Sequence, residues 1–195
     1  IYPSWGLQGP PGNHLYMNLG GGLMQSLPAS AGVTDGGWGW GTATIDFDND
    51  GWQDIVEANG WLNCDPITLE CFQNEPDYLF RNNGDNTFSE VHAANGLVNV
   101  YEGRGVMTLD YDRDGDMDVV ILSNPKVSAI EDPMSGNLKL YRNNICDALG
   151  PVVANGNYLE VALDTSATPA LAPHGLGAHV SVSTGAVVQH VQMNG

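Results

Sequence analysis

The sequence predicts an all-β fold of propeller-type blades, about two to three of them, followed by a small β-domain. Three observations carry this prediction. Two aspartate-rich loops, residues 46–54 and 110–118, recur 64 positions apart. Both are flanked by short segments dominated by Gly, Thr and β-branched residues, the composition of buried strands. No long segment carries apolar residues at helical spacing, and glycine is abundant, with 25 residues in a chain of 195.

The loops read DFDNDGWQD and DYDRDGDMD, and both fit D-x-D-x-D-G-x-x-D. Carboxylates this close repel one another unless a cation sits between them. A hard cation that takes about six to eight oxygen ligands suits them, so calcium is the expected ion, one per loop. The glycine allows the sharp turn that brings the last aspartate round. The competing reading, a pair of solvated Asp-Gly turns, accounts poorly for two copies in register. The first loop also satisfies the EF-hand pattern, because Glu57 falls at position twelve, but Ile121 stands at that place in the second. An EF-hand needs flanking amphipathic helices. Segments 39–45 and 103–109 before the loops, and 55–58 and 119–122 after them, read as strands, so a strand–loop–strand hairpin is expected.

The formal charge is −17, with six Lys and Arg against 23 Asp and Glu. Nine of those acids lie in the two loops, four in the first and five in the second. Two calcium ions would bring the charge to about −13. The balance argues against a nucleic-acid partner, which needs a basic footprint, and against an anionic membrane surface. No apolar stretch approaches the roughly 18 residues of a bilayer span. Cys64 and Cys71 flank a short loop containing Pro66. That spacing suits a local disulfide and an oxidising, extracellular setting; two unrelated thiols are the alternative. Cys146 is left over.

The repeat extends beyond the loops. Leu15 to Asn18 aligns with Leu79 to Asn82 at the same shift of 64, and a third copy of this strand, LYRN, occupies residues 140–143. One unit then reads as a strand to Ile45, the acidic loop, a strand over 53–58, the cysteine excursion, a strand over 77–81, a tight turn at Asn82 to Asp85, and a strand over 87–91. The next unit reaches its third strand at residues 138–142. The divisions expected are 1–37, the second half of a partial blade; 38–102, a complete blade; 103–150, a second calcium-loop blade; and 151–195, a truncated β segment.

These residues carry a family resemblance. GTATIDFDNDGWQDI from Gly41, followed by YLFRNNGDNTF from Tyr78, resembles an FG-GAP/VCBS repeat, the unit of the calcium-binding β-propellers of integrin α-chains and many bacterial surface proteins. The resemblance covers roughly residues 13–144. It implies metal ligands at Asp46, Asp48, Asp50 and Asp54 and at Asp110, Asp112, Asp114 and Asp118, with backbone carbonyls from Trp52 and Asp116. The stretch from Asn157, with Asn157-Tyr158-Leu159 and Gly175-Leu176-Gly177-Ala178-His179-Val180, resembles the start of the ASPIC/UnbV domain of cartilage acidic protein-like sequences. Strands are expected there at 157–163, 175–183 and 187–192. His174, His179 and His190 read as polar strand faces rather than a shared metal site.

No G-x-S-x-G elbow, P-loop or H-E-x-x-H occurs in the sequence, and the close carboxylates are explained by calcium, so no enzyme is expected. Trp38 and Trp40 suit core or blade packing better than a sugar-stacking surface. The 64-residue period fits 195 residues poorly. That mismatch predicts a longer parent chain or self-association, even a filament, that covers the strand edges. The expected function is a calcium-stabilised extracellular module, secreted or at a bacterial-type cell surface, for adhesion or assembly on a protein or glycan ligand. The alternatives are a lectin-like propeller and the non-catalytic part of a secreted hydrolase or lyase.

Overall fold

The computed structural model describes residues 12–61, 64, 72, 75–99, 101–124, 138–145, 159, 161–168, 170, 172–185 and 187–192. Within them the chain is a succession of antiparallel sheets with no α-helix. A first hairpin pairs β1 (Tyr16–Gly20) with β2 (Leu23–Ser26). A four-stranded sheet follows in the order β3 (Gly39–Ile45), β4 (Asp54–Asn59), β5 (Tyr78–Asn82) and β6 (Phe88–Glu90). A three-stranded sheet comprises β7 (Glu102–Leu109), β8 (Asp118–Asn124) and β9 (Leu138–Tyr141). A last hairpin joins β10 (His179–Thr184) and β11 (Val187–Gln192). This is the all-β, blade-by-blade architecture that the repeat predicts.

The two larger sheets share one core. Ile45, Val56, Ala58 and Leu79 from one, Val119 and Ile121 from the other, and Leu97 from the connection form a single buried cluster. Burial of the Ile, Val and Leu side chains contributes about 1.5–3 kcal/mol each. The sheets meet through β7, which packs against β3 and β4. A Cβ added to Gly41 would lie 3.0 Å from the Arg104 carbonyl oxygen and 3.3 Å from Gly105 Cα, so the backbones approach as closely as glycine permits. Both inner strands carry a bulge at the same place in the repeat, between Gly39 and Gly41 and between Gly103 and Gly105. The bulged residues, Trp40 and Arg104, meet: the guanidinium lies 3.9 Å from the centroid of the indole.

Two expectations need correction. Residues 159 and 161–163 are not strand: the alternating apolar pattern is there, but no described strand pairs with it, and Leu159 is exposed. The strand expected at 175–183 begins only at His179, because Pro173–Gly175 forms a 3-10 turn and Gly175 and Gly177 take positive φ. Trp38 is buried, stacked on Trp61 at 4.2 Å between ring centroids and against Phe72 at 5.0 Å. Trp40 is exposed and donates its indole N–H to the Gly60 carbonyl at 2.8 Å. Cys64 is disulfide-bonded; Cys71 and Cys146 lie outside the described residues.

Candidate metal centre: two aspartate loops

Each loop joins the first two strands of its sheet, β3 to β4 and β7 to β8. The two have the same backbone form. The fourth position is left-handed in both, Asn49 at φ 55° and Arg113 at φ 62°, and the sixth is Gly51 at 92° and Gly115 at 93°. Asparagine and glycine suit this region and arginine does not.

The first aspartate of each loop accepts from the backbone with both oxygens. Asp46 takes the N–H of Asp50 and Gly51, each at 3.0 Å, and Asp110 that of Asp114 at 3.2 Å and Gly115 at 3.1 Å. The last aspartate, fully buried in both copies, ties the loop to the third strand. Asp54 accepts from Phe47 N at 3.1 Å and Asn82 N at 2.7 Å. Asp118 accepts from Tyr111 N at 2.9 Å and Asn143 N at 2.8 Å. Each carboxylate oxygen has two acceptor directions, so one hydrogen bond leaves room for a cation.

The middle aspartates meet an arginine. Arg81 donates through Nε to Asp48 at 2.5 Å and through NH2 to Asp50 at 2.9 Å. Arg142 repeats this on Asp112 at 2.6 Å and Asp114 at 2.9 Å. These two arginines are the site residues that sequence reasoning missed. The signal was present, since both stand in the repeated Leu-x-Arg-Asn strand, but a lone arginine at a strand end reads as a solvated side chain.

Carboxylate oxygens of Asp46, Asp48 and Asp50 lie within 4.8 Å of one another, as do those of Asp110, Asp112 and Asp118. Asp54 and Asp114 fall outside these triplets. The seventh positions differ: Trp52 exposes its ring, whereas Asp116 is fully buried and accepts from Asn49 Nδ2 at 3.0 Å.

The electrostatics are those of crowded acids short of positive charge. Burial pushes the Asp54 carboxyl up to about 7, and the charges of Asp48 and Asp50 add to this. Burial also raises Asp46, with Asp50 and Asp48 contributing, and raises Asp114, with Asp112 and Asp116 contributing. Asp48 Oδ1 is buried without a hydrogen-bond partner. An anionic oxygen in that state is costly unless a cation meets it. An all-oxygen donor set with an orphaned carboxylate oxygen fits a hard divalent ion.

A second polar cluster lies at the far end of β4. Glu57, which the EF-hand pattern singled out, is fully buried and accepts from Asn13 Nδ2 at 2.6 Å, while its Oε1 has no partner. It takes no part in the acidic triplet. Among the described residues no metal-like cluster includes a histidine; His190 pairs with Ser181 across the last hairpin at 2.8 Å.

Comparison with known proteins agrees with the repeat. Residues 69–121, which contain the second loop, match the model of the FG-GAP-like repeat family. Over 49 residues the chain is 45% identical to cartilage acidic protein 1 of Xenopus tropicalis. It is 43% identical to that of Homo sapiens and 41% to that of Mus musculus. The match covers 25% of this chain and 7–8% of each relative, less than a tenth of their length. The relatives are vertebrate proteins and lend no support to a bacterial-type setting. Strand–loop–strand hairpins in register and the shared core show a chain that is all-β in its described residues, with residues 69–121 similar to an FG-GAP-like repeat.

Proposed function

We propose that the chain is part of an extracellular β-repeat module in which two calcium ions hold the blades in shape for adhesion or assembly on a protein ligand. The observation that carries the calcium reading is the pair of like-built loops, each with three carboxylates converging, one of them with a buried, unpartnered oxygen. Asp46, Asp48, Asp50 and Asp54 form the first ligand set and Asp110, Asp112, Asp114 and Asp118 the second, with carbonyls from Trp52 and Asp116. Bound calcium neutralises acids that burial and mutual repulsion leave short of positive charge. The ion's role is structural, and no catalytic step is assigned to the chain. The family match and the disulfide at Cys64 support an oxidising, extracellular setting. Among the described residues no helix is long and apolar enough to cross a membrane. Blades at 38–102 and 103–150, a partial blade at 1–37 and an ASPIC/UnbV-like segment at 151–195 complete the proposed layout.

Calcium titration with thermal melting tests the reading. Affinity on the order of 10⁻⁴–10⁻³ M is expected, so about 1 mM calcium adds about 0.4–1.4 kcal/mol per site and EDTA reverses the gain. Asp48→Ala and Asp112→Ala should each abolish one site. Melting temperatures indifferent to calcium, EDTA and both substitutions would refute it. A glycan array addresses the lectin-like alternative, for which Trp40 is a poor platform because Arg104 already occupies one face of its ring.

We propose that Cys71 is the partner of Cys64. Mass mapping of non-reduced peptides should find the two joined and Cys146 apart; a Cys64–Cys146 link would overturn the pairing.

A further inference from the structure

We propose that Asn143 and Asn49 couple the two loops, so that a divalent cation held in one raises the affinity of the other. The proposal rests on the calcium reading above and goes beyond it. The two loops share hydrogen bonds. Asn143 donates its backbone N–H to Asp118, the last carboxylate of the second loop, at 2.8 Å. Its side chain donates to the carbonyl of Phe47, in the first loop, at 2.6 Å. The N–H of Phe47 donates in turn to Asp54, the last carboxylate of the first loop, at 3.1 Å. One asparagine and one peptide residue therefore connect the two terminal carboxylates.

A second strut runs beside the first. Asn49 stands between Asp48 and Asp50 and reaches Asp116, which stands between Asp114 and Asp118, at 3.0 Å. The repeat provides an internal control. Asn82, the counterpart of Asn143, donates its side chain within its own loop, to the Gln53 carbonyl at 3.0 Å. Asn143 keeps the corresponding bond to Met117 at 3.4 Å and adds the one to Phe47. At the counterpart of Asn49 stands Arg113. The link is thus specific to this pair of loops and not a by-product of the repeat.

A cation fixes the carboxylates that receive it. Fixing Asp54 holds the Phe47 peptide, which positions Asn143 and through it Asp118; fixing the first loop also holds Asn49 against Asp116. The second ion then meets a loop already partly ordered, which is positive coupling. Long-range charge works the other way, since the first ion reduces the negative potential felt by the second. Salt weakens that effect and leaves the hydrogen-bonded path intact.

Titration calorimetry with calcium chloride, in chelator-stripped buffer at about 0.15 M salt, tests the proposal. The intact chain should bind the second ion about fivefold more tightly than the first, after statistical correction. Asn143→Ala and Asn49→Gly, which removes the side chain at a left-handed position without strain, should each bind two ions with that ratio reduced, and the double variant should bind them independently. Asp48→Ala should weaken the remaining site by the same factor, because binding coupling is reciprocal. Two independent sites in the intact chain, or an unchanged ratio in the double variant, would overturn the coupling while leaving the calcium reading standing. Absence of any calcium binding would overturn both.

Discussion

Asp118→Ala is expected to cost about 3–5 kcal/mol of stability even in the presence of a chelator. Asp118 is fully buried and accepts the backbone N–H of both Tyr111 and Asn143. Truncation leaves two donors unsatisfied, each worth about 1–3 kcal/mol when buried. It also loosens β9 from the loop, because Asn143 lies two residues past the end of that strand. Asp54→Ala repeats the experiment in the first loop, where Phe47 and Asn82 lose their acceptor. Urea denaturation in EDTA separates this structural role from metal ligation. If either variant matches the parent in EDTA and differs only with calcium, the last aspartate is a ligand alone and the hydrogen-bond argument fails. A loss of this size is a large part of the total stability of a domain.

Glu57→Gln is expected to stabilise the protein at alkaline pH by on the order of a few kcal/mol. Burial pushes the Glu57 carboxyl up to about 8 from its ordinary 4.5, with Glu75 and Asp77 adding to the shift and the Asn13 hydrogen bond opposing it. The folded state thus holds a proton that the unfolded chain releases. Its contribution is fully present below pH 4.5, falls as pH rises, and is lost through pH 8. Glutamine keeps the shape and an acceptor for Asn13 and has no charge to bury. Asp77, pushed up to about 6 by burial, pulls in the same direction and remains in the variant. The difference in unfolding free energy between variant and parent, followed from pH 5 to pH 9, cancels it. Parallel profiles would show that Glu57 is ionised in the folded protein.

Much of this molecule was legible in its sequence because the repeat makes local signals mutually reinforcing. The strand predicted at 39–45 is β3, and those predicted at 53–58, 77–81 and 87–91 are β4, β5 and β6 within one or two residues at either end. The convergence of Asp46 with Asp48 and Asp50 also follows from spacing alone, because a tight loop forces alternate side chains inward. What could not be read depends on separate strands coming together. Arg81 and Arg142 pair with loop acids about thirty residues away, and nothing local distinguishes them from solvated side chains. Glu57 stood out in the sequence only as an accidental EF-hand match within a strand, and its burial follows from Asn13 and Gly36 closing over it. The strand expected at 187–192 is β11, whereas the one expected at 157–163 failed in the opposite sense at its described residues, 159 and 161–163. Its alternation is real, but a strand needs a partner, and the pattern cannot say whether one is present.

The contact between Trp40 and Arg104 constrains how such units can be ordered. The two residues hold the same position in successive copies, and the packing of β3 on β7 brings them face to face. An array built from identical units would set like against like at every junction. Two guanidinium groups there would repel, and two indoles would have to share the space that one ring and one flat cation now divide. The junction is therefore a lock between unlike halves. Exchanging one unit for a copy of its neighbour would break that lock, so the copies are not interchangeable at the joint.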